Sequence, residues 1–340
     1  MRIRNPVCMI LGGDGLDSDV VKNLEYLYRS LGYSVVKMVK NIPEDFSGLL
    51  VISRSNMLSN KALENCKVKT VIIYDYVGDS INNFDYLSFL SQQIDSVIIY
   101  STSYERMAQL RDLVDSRECA TDISINFSLL PVFPKIWIAK KRHSRISRPI
   151  HIGHFKSGEP REMDPIKENF LGFLKRENAI IGGRDWPETF SRGILLGEIN
   201  LRTVSALYAK CEIAVGLMYP FQRQHTYSGR YWHAPLNGCT VLSEETRYSA
   251  IIPGVISCDL SKSLSEIREN CNLSPDKLML ESSTFWKNST NFHIRDLRKK
   301  IEFHLFWSLV NLTVFLIREK CGSISWISRN RRILMKLDSL

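Results

Sequence analysis

The sequence predicts an α/β protein of two doubly wound domains. Short apolar runs alternate with longer amphipathic stretches along the whole chain, and they do so in two series separated by a basic stretch. At 340 residues the chain is also longer than one core of ordinary size requires. Hydrophobic residues make up 44% of it and charged residues 24%, which excludes a disordered chain and allows a sizeable buried core. There is no internal repeat and no low-complexity tract.

The first series occupies residues 1–134. Val7 to Leu11 (VCMIL) reads as a buried strand and Gly12 to Gly15 (GGDG) as a tight turn. Ser18 to Leu31 reads as a helix with Val20, Val21, Leu24, Leu27 and Leu31 at helical spacing, stopped by Gly32. Asp17, Ser18 and Asp19 have the spacing of a metal-binding carboxylate pair, but just before a helix they serve better as cap and first-turn charge. Strands follow at SVVKMV, LLVIS, TVIIYDY and SVIIYST, with a last one near Ile123 to Leu130. These form an open, mostly parallel sheet.

Residues 135–149 read as a basic linker, and the second series occupies residues 150–285. It runs through the strand PIHIG, a helix around Pro165 to Arg176, the strand NAIIGG, a helix around Asn200 to Lys210 and the strand EIAVGLM. A short helix near Tyr231 to Leu236 and the strand CTVLS complete it. Residues 286–340 read as a basic helical arm, with Asn291 to Ile317 and beyond helical and able to pack across the hinge.

The formal net charge of +9 is local. Residues 1–134 carry 13 basic and 16 acidic side chains, and residues 149–285 carry 15 and 16. Lys135 to Arg148 (KIWIAKKRHSRISR) has 6 basic residues and no acid, and residues 286–340 have 11 against 4. The excess therefore points to docking on an anionic membrane surface or on DNA, not to two generally basic domains. The run Phe303 to Ile317 is about 15 residues, short of the roughly 20 that span a bilayer. Flanked by Arg298, Lys299, Lys300, Arg318 and Lys320, it suits an interfacial helix, or equally a core helix with solvated ends.

Eight cysteines are scattered, with no CxxC pair and no Cys/His spacing that builds a zinc site. The N-terminus has too few apolar positions for a signal-peptide core. The expectation is a reduced, cytoplasmic protein, peripheral on the inner face of the membrane where it docks.

In open parallel sheets ligands bind beyond the carboxyl ends of the strands. There, GGDG with Asp14 lets backbone approach a phosphate or is simply a turn. PIHIG is followed by a loop with Lys156, Ser157 and Arg161, and NAIIGG ends in Gly183 before Arg184. EIAVGLM leads through Tyr219 to Ser228, Gly229 and Arg230, and CTVLS to Glu244. Three strand-end loops bearing Lys or Arg converge on one crevice if the strands are parallel, which suits a polyanion such as a diphosphate.

The string VSALYAKCEIAVGLMYPFQRQHTYSGRYWHAPLNGCTVLSEE resembles the donor-site segment of nucleotide-sugar glycosyltransferases of the GT-B architecture. The likeness covers most of the chain and is strongest from His151 to about Ile267. It implies two Rossmann-like domains facing a central cleft, a C-terminal helix across the hinge, and a UDP- or GDP-sugar donor with no tightly bound cofactor and no metal. It also implies that Arg230 and the backbone near Ser228 and Gly229 hold the donor diphosphate, assisted by Lys156 and Ser157.

Further donor contacts expected are Arg161, Gly183, Arg184, Tyr219, His233 and Glu244. His233 stands where much of the family has a ribose-binding glutamate. The order of features is also similar to the phage DNA β-glucosyltransferases, which implies Asp75 as the catalytic aspartate; Asp14 and Asp79 are the next carboxylates in line as base. A hexosyltransferase acting on a cell-envelope, lipid-linked or other glycan is the expectation. A DNA glucosyltransferase and a GT-B-fold binding module without catalysis are the alternatives.

Overall fold

The computed structural model describes residues 6–11, 18–38, 42–53, 67–75, 94–115, 122–139, 145–153, 164–190, 194–217, 228–244, 247–268 and 274–320, with side chains of the last helix described to residue 301. Strands β1 (Val7–Leu11), β2 (Ser34–Met38), β3 (Leu49–Ile52), β4 (Thr70–Asp75), β5 (Ser96–Ser101) and β6 (Asp122–Phe127) form one sheet in the order β2-β1-β3-β4-β5-β6. All its pairings are parallel. The strands β3 and β5 are buried along their whole length, as expected where both faces of a parallel sheet are covered. Met9, Leu11, Ile52, Ile73 and Ile99 build this core with Met107 and Leu110 of helix α2 (Tyr104–Asp115).

A second parallel sheet holds β7 (Ile150–Ile152), β8 (Ile180–Gly182), β9 (Ile194–Leu195), β10 (Ile213–Gly216), β11 (Thr240–Ser243) and β12 (Val255–Ser257), in the order β12-β11-β10-β7-β8-β9. Phe170, Phe173 and Leu174 of the helix Asp164–Arg176 pack on Ile181, Ile213 and Val215. In each sheet the chain first builds outward on one side of its first strand and then crosses to the other side. The switch points lie between β1 and β3 and between β7 and β10.

Local chemistry explains the elements. Helix α1 (Asp19–Ser30) starts at Ser18, whose hydroxyl accepts the Val21 N–H at 3.3 Å, with Asp19 in the first turn. It ends where Gly32 takes φ of 90°. The expected short helix after Gly229 splits in two, Arg230–His233 and a 3₁₀ turn Pro235–Asn237, because Pro235 cannot continue the hydrogen-bond ladder. The last strand of the first sheet stops at Phe127, short of the expected Leu130.

The connector between the sheets is built in. Trp137, at the end of the turn Pro134–Trp137, is 1% exposed, and its indole N–H donates to Asn23 Oδ1 of α1 at 2.9 Å. Asn237 Nδ2 donates to the Trp137 carbonyl at 3.0 Å and to the His233 carbonyl at 2.7 Å, while its Oδ1 accepts from Ala139 N at 2.8 Å. Arg145 donates to the carbonyls of Cys211, Asn237 and Gly238, and Ile146 bridges to Cys211. Lys135 lies over the Tyr26 ring. Two cations of the basic stretch are thus engaged within the fold.

The last helix, Pro275–Lys320, begins well before the expected Asn291. Its buried residues are Leu278, Ser282, Trp286, Thr290, His293, Leu297 and Ile301, at helical spacing but with three polar positions among them, which weakens the hydrophobic periodicity. Leu278 packs at Gly254 beside the second sheet and Trp286 lies edge-on to Trp232. Thr290 exchanges hydrogen bonds with Val132, and His293 reaches Ser128 at 2.8 Å and Tyr74 at 3.0 Å. The helix therefore crosses from one sheet to the other. The chain forms two compact units, residues 1–293 with both sheets and residues 294–340. Among the described residues no helix is long and apolar enough to cross a membrane.

Asn237→Ala strips three buried hydrogen bonds from the connector and leaves Ala139 N–H without its acceptor. It is expected to lower unfolding free energy by about 3 kcal/mol, measured by urea denaturation.

Candidate functional site

The second switch point is occupied by one guanidinium. Arg230 opens the helix Arg230–His233, and its side chain donates to the Ile152 carbonyl at the end of β7 (3.1 Å) and to the Leu217 carbonyl just beyond β10 (3.2 Å). Strands that end side by side leave such carbonyls in need of donors. Room for the side chain comes from two glycines. A Cβ on Gly216 would lie 2.8 Å from Arg230 Cδ and Nη1, and one on Gly153 would lie 3.3 Å from Nη2. Arg230 Nε is buried and has no hydrogen-bond partner among the described residues.

The surroundings keep this cation the dominant charge. His151, in β7, is 4% exposed, and its Nδ1 lies 2.9 Å from the Val215 carbonyl, which can only accept. The proton is therefore on Nδ1, and Nε2 faces the Gly153 side where Arg230 lies. Burial first, and the nearby Arg230 second, push the imidazole down to about 3, so it is neutral at physiological pH. The Trp186 indole donates to the Gly153 carbonyl at 2.8 Å and its ring packs edge-on against His151. Burial raises the Tyr208 hydroxyl, with Arg230 opposing that shift.

The remaining donor-side residues are placed as follows. The Ser228 hydroxyl accepts the Arg230 N–H at 3.4 Å and its carbonyl accepts the Tyr231 N–H, so Ser228 caps the turn that presents Arg230. A Cβ on Gly229 would collide with the Asp19 carboxylate, so glycine at 229 leaves that carboxylate its place. His233 is 3% exposed, with Nε2 at 3.6 Å from Asp19 Oδ2 and its ring edge-on to Trp137 at 4.4 Å. It thus faces the first sheet's helix.

Glu244 follows β11 directly and is half-buried, and Ser243 beside it accepts the Tyr231 hydroxyl at 2.9 Å. Gly183 has φ of 137° and bonds to Gly197, while Arg184 is exposed and lies 3.6 Å from Glu198 at the surface. Lys156, Ser157, Arg161, Tyr219, Asp14 and Asp79 lie outside the described residues.

On the first sheet, Asp75 ends β4 and is 2% exposed, with Oδ2 at 3.4 Å from Arg106 Nε. Arg106 is itself 7% exposed. Sequence reasoning missed Arg106, His151 and Trp186 as members of the two sites. For His151 and Arg230 a signal was present: a glycine at or just past the end of two strands of one sheet, Gly153 and Gly216. Among the described residues no three His, Cys, Asp or Glu side chains cluster to hold a metal ion.

No protein-family model and no curated protein matches this chain. Solved structures do. AviGT4, a glycosyltransferase involved in avilamycin A biosynthesis, aligns with a TM-score of 0.52 and 13% identity over 87% of this chain and 98% of that one. The DNA-modifying enzyme β-glucosyltransferase aligns with a TM-score of 0.58 and 12% identity over 87% and 99%. The pneumococcal O-GlcNAc transferase GtfA aligns with a TM-score of 0.50 and 11% identity over 83% and 60%. The fold is GT-B. In the GT-B frame Arg230 occupies the switch point of the second domain, and Asp75 ends β4, one strand removed from the switch point of the first.

Between pH 6.5 and 5 the unfolded chain takes up a proton at residue 151 that the folded chain refuses until about 3. Stability therefore falls as pH drops through this window, by up to about 1.4 kcal/mol per pH unit from this residue. Urea midpoints against pH should show a shallower slope in His151→Gln than in the wild type.

Proposed function

We propose that the protein is a glycosyltransferase that moves a hexosyl group from a nucleoside-diphosphate sugar to an acceptor hydroxyl. The observation that carries this reading is Arg230, a cation seated at a topological switch point, where open α/β sheets take their ligands. Two of its donors are fixed on backbone carbonyls, so the guanidinium is held in place before a diphosphate arrives. Such preorganised charge costs no reorganisation at the moment of reaction.

In the proposed step the acceptor oxygen forms a bond to the anomeric carbon as the bond from that carbon to the diphosphate oxygen breaks. The bonding pair leaves with the diphosphate, whose negative charge Arg230 meets, with Lys156 and Ser157 assisting. The acceptor proton passes to the Asp75 carboxylate, which Arg106 orients. UDP-glucose is the donor to test, since the β-glucosyltransferase of the same fold has uridine diphosphoglucose as its substrate. No tightly bound cofactor enters this step.

A cell-envelope, lipid-linked or other glycan is the proposed acceptor, with the basic C-terminal arm holding the enzyme on the anionic inner face of the membrane in the cytoplasm. DNA is the second acceptor. A second reading, a GT-B-fold binding module without catalysis, is favoured by one observation: Asp75 is buried in an ion pair.

Calorimetry with UDP and UDP-glucose, and turnover assays with glycan acceptors, duplex DNA and anionic vesicles, test these readings. Arg230→Ala is expected to weaken UDP binding about 100-fold, the loss of a charge-assisted bidentate contact. Asp75→Asn is expected to keep UDP affinity and lose transfer by a factor of about 100 or more, the scale of general-base catalysis. Wild-type protein that binds UDP-glucose but neither transfers nor hydrolyses it would instead be the binding module.

A further inference from the structure

We infer that Glu105 and Arg247 are positioning residues that set the Asp75 end of the first sheet against the Arg230 end of the second. The inference rests on the roles proposed above for Asp75 and Arg230. Arg247 Nη1 reaches both carboxylate oxygens of Glu105, at 3.0 and 2.8 Å. One residue on, the Tyr248 hydroxyl donates to the Thr102 carbonyl at 3.3 Å. Two adjacent residues of the second domain thus grip the turn that links β5 to α2.

That turn carries the partner of the candidate base. The Ser103 hydroxyl donates to Glu105 Oε2 at 3.0 Å and accepts the Arg106 N–H at 3.2 Å. Arg106 in turn lies 3.4 Å from Asp75. On the other side, Arg247 follows shortly after Ser243 and Glu244, and Ser243 is bonded to Tyr231, the neighbour of Arg230. A set of contacts therefore runs from Asp75 through Arg106, Ser103 and Glu105 to Arg247, which lies four residues along the chain from Ser243, the partner of the Tyr231 hydroxyl beside Arg230.

The chemistry suits a contact that forms and releases. Glu105 sits in the first turn of α2, where a carboxylate is favoured, and Arg247 first, then its own backbone hydrogen bond, hold it at about 2. The pair is charged throughout the neutral range. Both side chains remain substantially exposed, at 39% for Arg247 and 53% for Glu105, so the pair adds little to folding and is sensitive to salt. Removing it leaves a folded protein in which position is what changes.

The test measures kcat for UDP-glucose turnover and UDP affinity in wild type, Glu105→Gln, Arg247→Met and Arg247→Lys, at low and high salt. Glu105→Gln and Arg247→Met are expected to lower kcat about fivefold with UDP affinity unchanged, the scale of one exposed ion pair. Arg247→Lys, which keeps a cationic donor, is expected to recover most of the rate, and high salt to bring wild type toward Arg247→Met. Wild-type kcat in Arg247→Met overturns the inference and leaves the transferase reading standing. A loss of UDP affinity like that of Arg230→Ala also overturns it, because Arg247 would then belong to the donor site. Absence of turnover in the wild type overturns both.

Discussion

A guanidinium laid across the carboxyl ends of two adjacent parallel strands is the interaction on which the second domain's site depends. β7 and β10 stop together at the switch point, and the carbonyls of Ile152 and Leu217 take their hydrogen bonds from Arg230. The arrangement requires glycine at 153 and 216, where a methyl group would press on the guanidinium. It also requires a neighbour that does not add charge. His151 meets that need by being buried, bonded through Nδ1 and neutral. A protonated imidazole there would set two cations side by side in a region poor in water.

The same economy of polar groups joins the two sheets. The connector is held by Asn23 and Asn237, each using its amide on backbone or indole partners, and the last helix crosses with a stripe in which Ser282, Thr290 and His293 are buried. Buried polar groups demand specific partners, so these contacts fix register more than they add stability. They also change the meaning of the charge. Arg145 lies on three carbonyls and Lys135 on an aromatic ring, so part of the basic stretch is architecture.

The two sheets were legible because buried parallel strands are nearly continuous apolar runs, as in TVIIY and SVIIY, and because Ser18 and Gly32 mark ends that backbone geometry requires. Arg230 was legible as the cation opening a helix after a strand. What it binds in the fold was not, since Ile152 is distant in sequence and offers only its carbonyl. Arg106 was hidden for a similar reason: an arginine in an amphipathic helix reads as solvated surface until its partner Asp75 is known. The early start of the last helix was hidden because buried Ser282 and Thr290 interrupt the apolar spacing of Leu278 and Trp286.

His233 shows how one such long-range partner alters a functional argument. Read from sequence, His233 stands where GT-B glycosyltransferases often carry a ribose-binding glutamate. The structure places Asp19 Oδ2 3.6 Å from His233 Nε2, with Trp137 edge-on to the ring and the imidazole buried. A glutamate at 233 would set a buried carboxylate against the partly exposed one of Asp19, a costly arrangement unless one is protonated. Imidazole removes that conflict and still offers a nitrogen to a hydroxyl. Asp19 in turn is where it is because Gly229 has no side chain to exclude it. The histidine is therefore matched to Asp19 at the meeting of the two domains, a structural reason for histidine at this position.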